Sequence, residues 1–597
     1  MSYKKGIIYT ANPVTARGHA TKISSTGSKL VYASGRTVVI RDVQDPGKNI
    51  VYTGHTQYTS VARISPSGYY CASGDIAGNV RVWDIVGEEN VLKIEKKVFA
   101  GSIKDLAWDA ESTRIGAVGD GRGGFGSYFM LDTGATAGEI SGHSKVFTMP
   151  LPFPCRPKTP ATECEQKEMT RIPGAPYKYE KSIKTHTRFV QDARFSPSGE
   201  LLVSVGSDSK VFLYDGKTGD VKADLGEGLH SGTIFAVTWS PDSQLFATSS
   251  ADRTVKLFDA STQKAVSSWN VGAGIQDQQC GNAWVGENEI ASLSLNGDIN
   301  VFDKRTEGKA ARVLYVPNKG VTAAAVDASG TFFAGSYDGR IMALTTNGTV
   351  EAVAGSGHSN HVSGISVAGG KMCSVAYDDT YREFTGGKFD TASLSTSGQP
   401  KGVAGTNDGI VFVVSAAGID AVKEGRKVSN LKVAYSPSAV AVHGTKVAVG
   451  SEDTNIYLYD WDGSKLTPDS GKLESNKGAL SAMAFSPDGT LLAAGDSSGG
   501  IMLYDVSQMK LVTSRWSSHT AKINALAFHP GGAHVVSGSL DTNIYIWSVK
   551  SPLRRVLIPN AGMGGVNAVQ WIGGGGNTVA SAGADASIRT WEIVLPG

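Results

Sequence analysis

The feature that most constrains this chain is a pattern that returns along its whole length. A loop ending in Gly-His or Thr-His leads into an apolar strand, then Ser-Pro-x-Gly or a variant, a second strand, an Asp-centred turn, and a third strand ending in an aromatic residue and Asp. Clear copies run from Gly54-His55 to Trp83-Asp84, from Thr185-His186 to Tyr214-Asp215, from Leu229-His230 to Phe258-Asp259, and from Ser518-His519 to Ile546-Trp547. The interval from loop His to turn Asp is 22 residues in three of them, His186 to Asp208, His230 to Asp252 and His519 to Asp541. Looser copies end near Asp42, Asp132, Asp303, Leu344, Phe384, Val422, Asp460, Asp505 and Glu592. With one degenerate unit this makes fourteen over 597 residues, an average of about 43 residues each.

Each unit reads as strands of five to seven residues, such as Leu491–Gly495 and Gly500–Asp505. No segment holds a helical apolar period over the length of a helix. A four-stranded sheet cannot bury both faces alone, so such units pack radially as blades. The period and the words Gly-His and Trp-Asp are those of WD repeats. Fourteen blades in one ring would leave a wide hole, so the expected architecture is all-β, with two tandem seven-bladed WD-type β-propellers. Pro and Gly break the strand rhythm at Val316-Pro317-Asn318-Lys319-Gly320, which places the domains at 11–317 and 318–597.

In this repeat the outer strand of a blade precedes the next unit. The sequence ends on a third strand, Ile588–Ile593, so its blade needs an outer strand from elsewhere. An unpaired edge invites association. Gly6-Ile7-Ile8-Tyr9-Thr10 is unassigned, and Ala311–Tyr315 suffices to finish the first ring, so residues 6–10 are expected to close the second.

Composition narrows the function. Hydrophobic residues make up 41% and charged residues 19%, values of a packed chain rather than a disordered one. The 73 Gly fit many tight turns. With 57 basic against 55 acidic side chains there is no broad field to attract nucleic acid or a membrane. Ile7-Ile8-Tyr9 is too short for a signal-peptide core, and no apolar stretch reaches bilayer length. Five Cys (Cys71, Cys155, Cys164, Cys280 and Cys373) show neither pairing nor metal-ligand spacing. A cytoplasmic monomer is expected.

His–Asp pairs invite a catalytic or metal reading. Their recurrence at fixed repeat positions instead assigns them to a structural brace of loop His, turn Asp, strand Ser or Thr and third-strand Trp. In the last clear copy these are His519, Asp541, Ser537 and Trp547. No catalytic residue, metal site or cofactor is expected, and a propeller enzyme with a metal in its central channel is disfavoured. Gly119–Gly126 has phosphate-loop spacings, but a strand follows where a helix N-terminus is required. Gly216-Lys217-Thr218 resembles a P-loop tail, with Val211 in place of the first Gly. Gly573–Gly576 reads as a hairpin tip. Tyr177–Lys184, followed by His186, Arg188 and Phe189, mixes aromatic with basic side chains. It is a protein-binding patch, a solvated outer strand or a stacking surface for nucleic acid.

Several stretches together resemble the actin-interacting protein one family of WD-repeat proteins. They are Ser65–Asp75, Ala117–Arg122 with Phe125-Gly126, His186–Val190, Asp277-Gln278-Gln279 and Gly538–Asp541. The resemblance spans nearly the whole chain. It implies a protein that binds actin filaments decorated with cofilin (actin-depolymerising factor), promotes severing and disassembly, caps barbed ends and belongs to the actin cytoskeleton. It also implies a working surface on the first propeller at Arg122, Phe125, Tyr177, Tyr179 and Phe189. The alternative is a WD scaffold for another multiprotein complex.

Two departures stand out. Gly123 replaces an acidic residue of the family pattern. In the fourth unit, residues 147–173 read FTMPLPFPCRPKTPATECEQKEMTRIP, and seven of the 21 Pro lie between Pro150 and Pro176. Pro removes ladder donors, so this is not the interior of a blade. A shifted reading frame or splice boundary would produce it; a genuine insertion is the alternative. An acidic family residue of that unit's turn is missing either way.

Overall fold

The computed structural model describes residues 2–45, 47–87, 89–121, 125–140, 183–225, 228–573 and 576–595. They form thirteen four-stranded antiparallel sheets, and the one helical element among them is a single 3-10 turn at Ile275–Asp277. The chain divides into two compact units, residues 12–314 and residues 1–11 with 315–597. The second holds seven sheets and the first holds six described ones. This is the architecture of tandem β-propellers. The degenerate fourth unit, 147–173, lies outside the described residues.

Burial explains how each sheet stands. Second and third strands are buried along most of their length, as in Arg114–Gly119 and Thr37–Asp42. Fourth strands are largely exposed, as in Leu92–Lys97, because they form the outer edge. The first strand of each sheet packs on the first strand of the next. In the first unit Thr59–Ile64 meets Ile103–Trp108, and Val190–Phe195 meets Ile234–Trp239. That strand meets Gln279–Val285, which returns to Ile23–Thr26. First strands therefore line the axis. Apolar clusters fill the spaces between sheets and carry the ring round to its start. Ile23, Leu30 and Tyr32 pack with Ala291, Leu293 and Ile299 in the first unit, and Val321 and Phe332 with Ala568 and Ile588 in the second. Each Val, Leu, Ile or Phe side chain among them contributes about 1.5–3 kcal/mol on burial.

The hairpin after each first strand turns through the Ser-Pro-x-Gly words. Gly68, Gly199 and Gly489 adopt φ of +75°, +73° and +73°, a conformation that favours Gly. Ser65 N and Ser196 N bond back to Tyr70 O and Leu201 O and close these turns.

The last sheet of each unit gains its outer strand differently. Arg312–Leu314 pairs with Ile299–Val301 as the outer strand of its sheet. Ser2–Tyr9 pairs antiparallel with Ile588–Val594, from Ser2 opposite Val594 to Tyr9 opposite Ile588, with a bulge between Lys5 and Ile8. It is the fourth strand of the sheet 566–594, and Tyr9 is buried with Val321 and Ile588.

Candidate functional site

The His and Asp residues of the repeat form a directional hydrogen-bond chain. Trp547 Nε1–H donates to Ser537 Oγ at 2.8 Å, and the Ser537 hydroxyl lies 2.8 Å from His519 Nε2. His519 Nδ1 lies 2.9 Å from Asp541 Oδ2. With Asp541 accepting from Nδ1–H, a neutral imidazole takes the Ser proton at Nε2, whereas a charged one would leave that proton to the more distant Tyr545 O at 3.4 Å. The chain therefore wants a neutral imidazole. Burial pushes His519 below its usual pKa despite the opposing pull of Asp541. Burial also opposes ionisation of Asp541, but N–H donors from Thr520 and Asn543, with His519, outweigh it and hold the carboxyl below the usual range.

The same geometry recurs. His186 meets Asp208 at 2.9 Å and Ser204 at 2.7 Å, and His230 meets Asp252 at 2.8 Å and Thr248 at 2.9 Å. The sequence shows the His55 copy without its Asp partner and does not single out His358; the structure pairs His55 with Asp75 and Ser73, and His358 with Asp378 and Ser374. Both have an interval of 20 rather than 22. All five positions are occupied by internal partners, so these residues hold loops and offer nothing to a substrate. Gly216-Lys217-Thr218 is likewise a closed turn, with Lys217 N and Thr218 N both donating to Asp215 Oδ1. Among the described residues no three His, Cys, Asp or Glu side chains are placed to hold a metal ion.

The braces fix a loop face. In most sheets the residue before the first strand is bonded to the residue after the second: Ile76 N to Tyr58 O, Asp120 N to Ser102 O, Ser207 N to Phe189 O. These bonds bring all such residues of one unit to the same end of its ring. Phe189 stands there 81% exposed, with its backbone held on both sides by His186–Asp208 and Ser207. Phe125 is at that end too, since Gly119 N donates to its carbonyl at 3.0 Å. Arg122, Tyr177 and Tyr179 lie outside the described residues, as do Gly123 and Gly574-Gly575.

The face also carries residues that the sequence reading did not single out. Tyr58 is 58% exposed and Ile76 45% exposed, and the Arg36 guanidinium sits 5.9 Å from the centre of the Tyr58 ring. Tyr58 immediately precedes its first strand as Phe189 does, which is the signal that could have found it. Exposed aromatic and Arg side chains on a rigid backbone are the composition of binding hot spots, because little side-chain freedom remains to be lost. The arrangement suits docking of a protein surface.

A family model for the WD domain, G-beta repeat, matches residues 48–84, 177–215 and 228–259, and one for the Vps8 beta-propeller matches 428–550. The chain is 35% identical to Actin-interacting protein 1 of Drosophila melanogaster, over 99% of this chain and 98% of that protein. It is 38% identical to the 66 kDa stress protein of Physarum polycephalum, over 99% and 100%. It is 35% identical to WD repeat-containing protein 1 of Gallus gallus, over 99% of each. With identity at this level running from end to end of its relatives, the chain belongs to the family of actin-interacting protein 1 and WD repeat-containing protein 1.

Proposed function

We propose that this protein binds actin filaments through the loop face of its first unit and, with cofilin on the filament, promotes severing, disassembly and barbed-end capping. The observation that carries the reading is the full-length similarity to a protein named for its interaction with actin. The exposed Phe189, Tyr58 and Arg36, with the half-buried Phe125, supply a surface of suitable chemistry. Arg122, Tyr177 and Tyr179 belong to the same proposed site. The mechanism is mechanical. A rigid ring that binds the cofilin-bearing or severed state more tightly than the intact one shifts the equilibrium by that difference alone. No nucleotide hydrolysis by this chain is required, and the protein acts as a cytoplasmic monomer on the cytoskeleton.

Co-sedimentation with actin alone and with actin plus cofilin tests this. Cofilin-dependent recovery in the pellet, with extra actin in the supernatant, is expected; a folded protein that stays in the supernatant in both conditions contradicts it. One observation favours a second reading, a scaffold for another complex. The loop face of the second unit carries its own aromatic ladder, with His361 stacked on Tyr377 at 4.5 Å and edge-on to Tyr337 at 4.6 Å. Tyr337 is 57% exposed. A partner that binds through this ladder while Phe189 is dispensable would favour the scaffold.

A further inference from the structure

The axis of the first unit holds a group of charges that neither the braces nor the loop face uses. Arg63 Nη2 donates to Asp105 Oδ1 at 2.8 Å, and Arg194 Nη2 lies 3.2 Å from Asp192 Oδ1 and 3.6 Å from Asp105 Oδ2. Lys22 Nζ reaches Asp192 at 3.3 Å and Asp105 at 3.8 Å. Asp105 and Asp192 are buried, and the three cations are largely so. Three positive groups face two negative ones, which leaves one positive charge without a counter-charge in the group.

Beside this group the innermost strands border an open cavity of about 290 Å³. Arg63, Arg194, Thr238 and Asn282 stand in its wall, with Trp239 and Phe195 as apolar lining. Its polar groups are of two kinds. The guanidinium groups are donors only, and Thr238 Oγ1 accepts from Trp284 N at 3.0 Å, which leaves its own proton to donate. Asn282 is 5% exposed, and its Nδ2 is spent on Ala247 O at 3.0 Å. Its Oδ1 is buried with no partner among the described residues. A buried acceptor left unpaired costs about 1–3 kcal/mol, and an uncompensated buried charge costs more. The cavity therefore lacks a negative charge.

We propose that the cavity is a binding site for a small phosphate-bearing anion, with Arg63, Arg194 and the Thr238 hydroxyl donating to its oxygens. The several oxygens of a phosphate can accept from two guanidinium groups and a hydroxyl at once. A chloride ion brings charge as a single acceptor, and water brings no charge. The volume lies at the lower end of ligand pockets, which run from about 300 to 1,000 Å³, so the ligand is a free phosphate or the phosphate group of a small metabolite. The site is independent of the proposed filament-binding face, since none of its residues belongs to the loop segments around Tyr58 and Phe189.

The test is calorimetric titration of the full-length protein with inorganic phosphate and, separately, with glycerol phosphate, against sodium chloride of matched ionic strength. Saturable binding near one site per chain is expected for at least one phosphate probe and not for chloride. Saturation by both probes, or by inorganic phosphate alone, identifies the free ion as sufficient; saturation by the ester alone identifies a phosphorylated metabolite. Arg194→Gln is expected to weaken binding about tenfold or more, and Lys446→Gln, on the second unit, to leave it unchanged. Should Arg194→Gln fail to fold, Thr238→Val carries the same comparison with a smaller expected loss of about fivefold. Absence of saturation with either phosphate probe overturns the proposal. So does binding that a folded Arg194→Gln or Thr238→Val variant retains in full, since the anion would then sit elsewhere.

Discussion

The innermost strands of the two units meet the same packing demand with different residues. In the second unit the third position of each innermost strand, just after its bulge, is Ala323, Gly364, Gly402, Ala439, Ala482, Ala525 or Ala568. In the first unit the same position holds Asp105 and Asp192, and the fifth position holds Arg63 and Arg194. Small side chains let neighbouring strands approach at no electrostatic cost. Charged ones must be desolvated, and their mutual attraction offsets that cost only with good geometry. The contrast teaches that the repeat words determine the blade but not the axis. Brace, turn and core are common to both units, while the axial positions are free to carry chemistry, and in one unit they do.

Removing one member of the charged group is the most severe way to break this comparison. Asp105→Ala leaves Arg63, Arg194 and Lys22 with one carboxylate between them and is expected to cost about 3–5 kcal/mol in urea unfolding. The matched change in the second unit, Ala439→Gly, is expected to cost about 0.5–1 kcal/mol. Equal effects would show that the charges are incidental.

Next in size is the brace, which the comparison treats as common to both units. Ser537→Ala leaves the Trp547 N–H and His519 Nε2 unsatisfied, and Ser204→Ala does the same to His186 Nε2 and removes one of the two partners of the Tyr214 hydroxyl, Thr185 being the other. Each is expected to lose about 1–3 kcal/mol, measured by thermal unfolding. A loss confined to one unit would undo the claim of a shared scaffold.

A smaller effect follows from titration. His55, His358 and His519 have pKa values lowered from 6.5 chiefly by burial. The folded state thus binds fewer protons than the unfolded one in this range. The stability due to the neutral imidazoles is complete above pH 6.5 and is lost as pH falls from there through the folded values. The slope is at most about 1.4 kcal/mol per pH unit for each His. His519→Gln is expected to flatten the decline in stability between about pH 6.5 and 5. An unchanged slope would mean that this imidazole titrates alike in the folded and unfolded chain.

The parts legible in the sequence are those that recur. Second and third strands were readable because burial on both sides makes them near-continuous apolar runs. Outer strands such as Leu92–Lys97 carry exposed charge and look like loops. The two missed braces have separate causes. In His55–Asp75 the distance from His to Ser73 is the usual 18, and the turn Asp comes two residues early. In His358–Asp378 the distance to Ser374 is 16, because the preceding hairpin is two residues shorter. A search for one fixed interval passes over both. In a further sheet Asn476 replaces His, accepting from Tyr504 at 2.8 Å and donating to Asp496 at 3.4 Å. The axial charges were illegible for another reason. Lys22, Arg63, Asp105 and the Asp192–Arg194 pair are polar residues at the ends of or within apolar strands far apart in sequence, and only the ring brings these four places within reach of one another.

The least effect on stability is expected on the loop faces, where Phe189→Ala and Tyr337→Ala should each change unfolding by no more than about 0.5 kcal/mol. That makes them clean probes of binding. The most direct test is co-sedimentation with cofilin-decorated actin of two double variants, Tyr58→Ala with Phe189→Ala on the first unit and Tyr337→Ala with Tyr377→Ala on the second. The account predicts that the first variant remains in the supernatant while the second pellets like the unaltered protein. Undiminished pelleting of the first, or loss confined to the second, would contradict it.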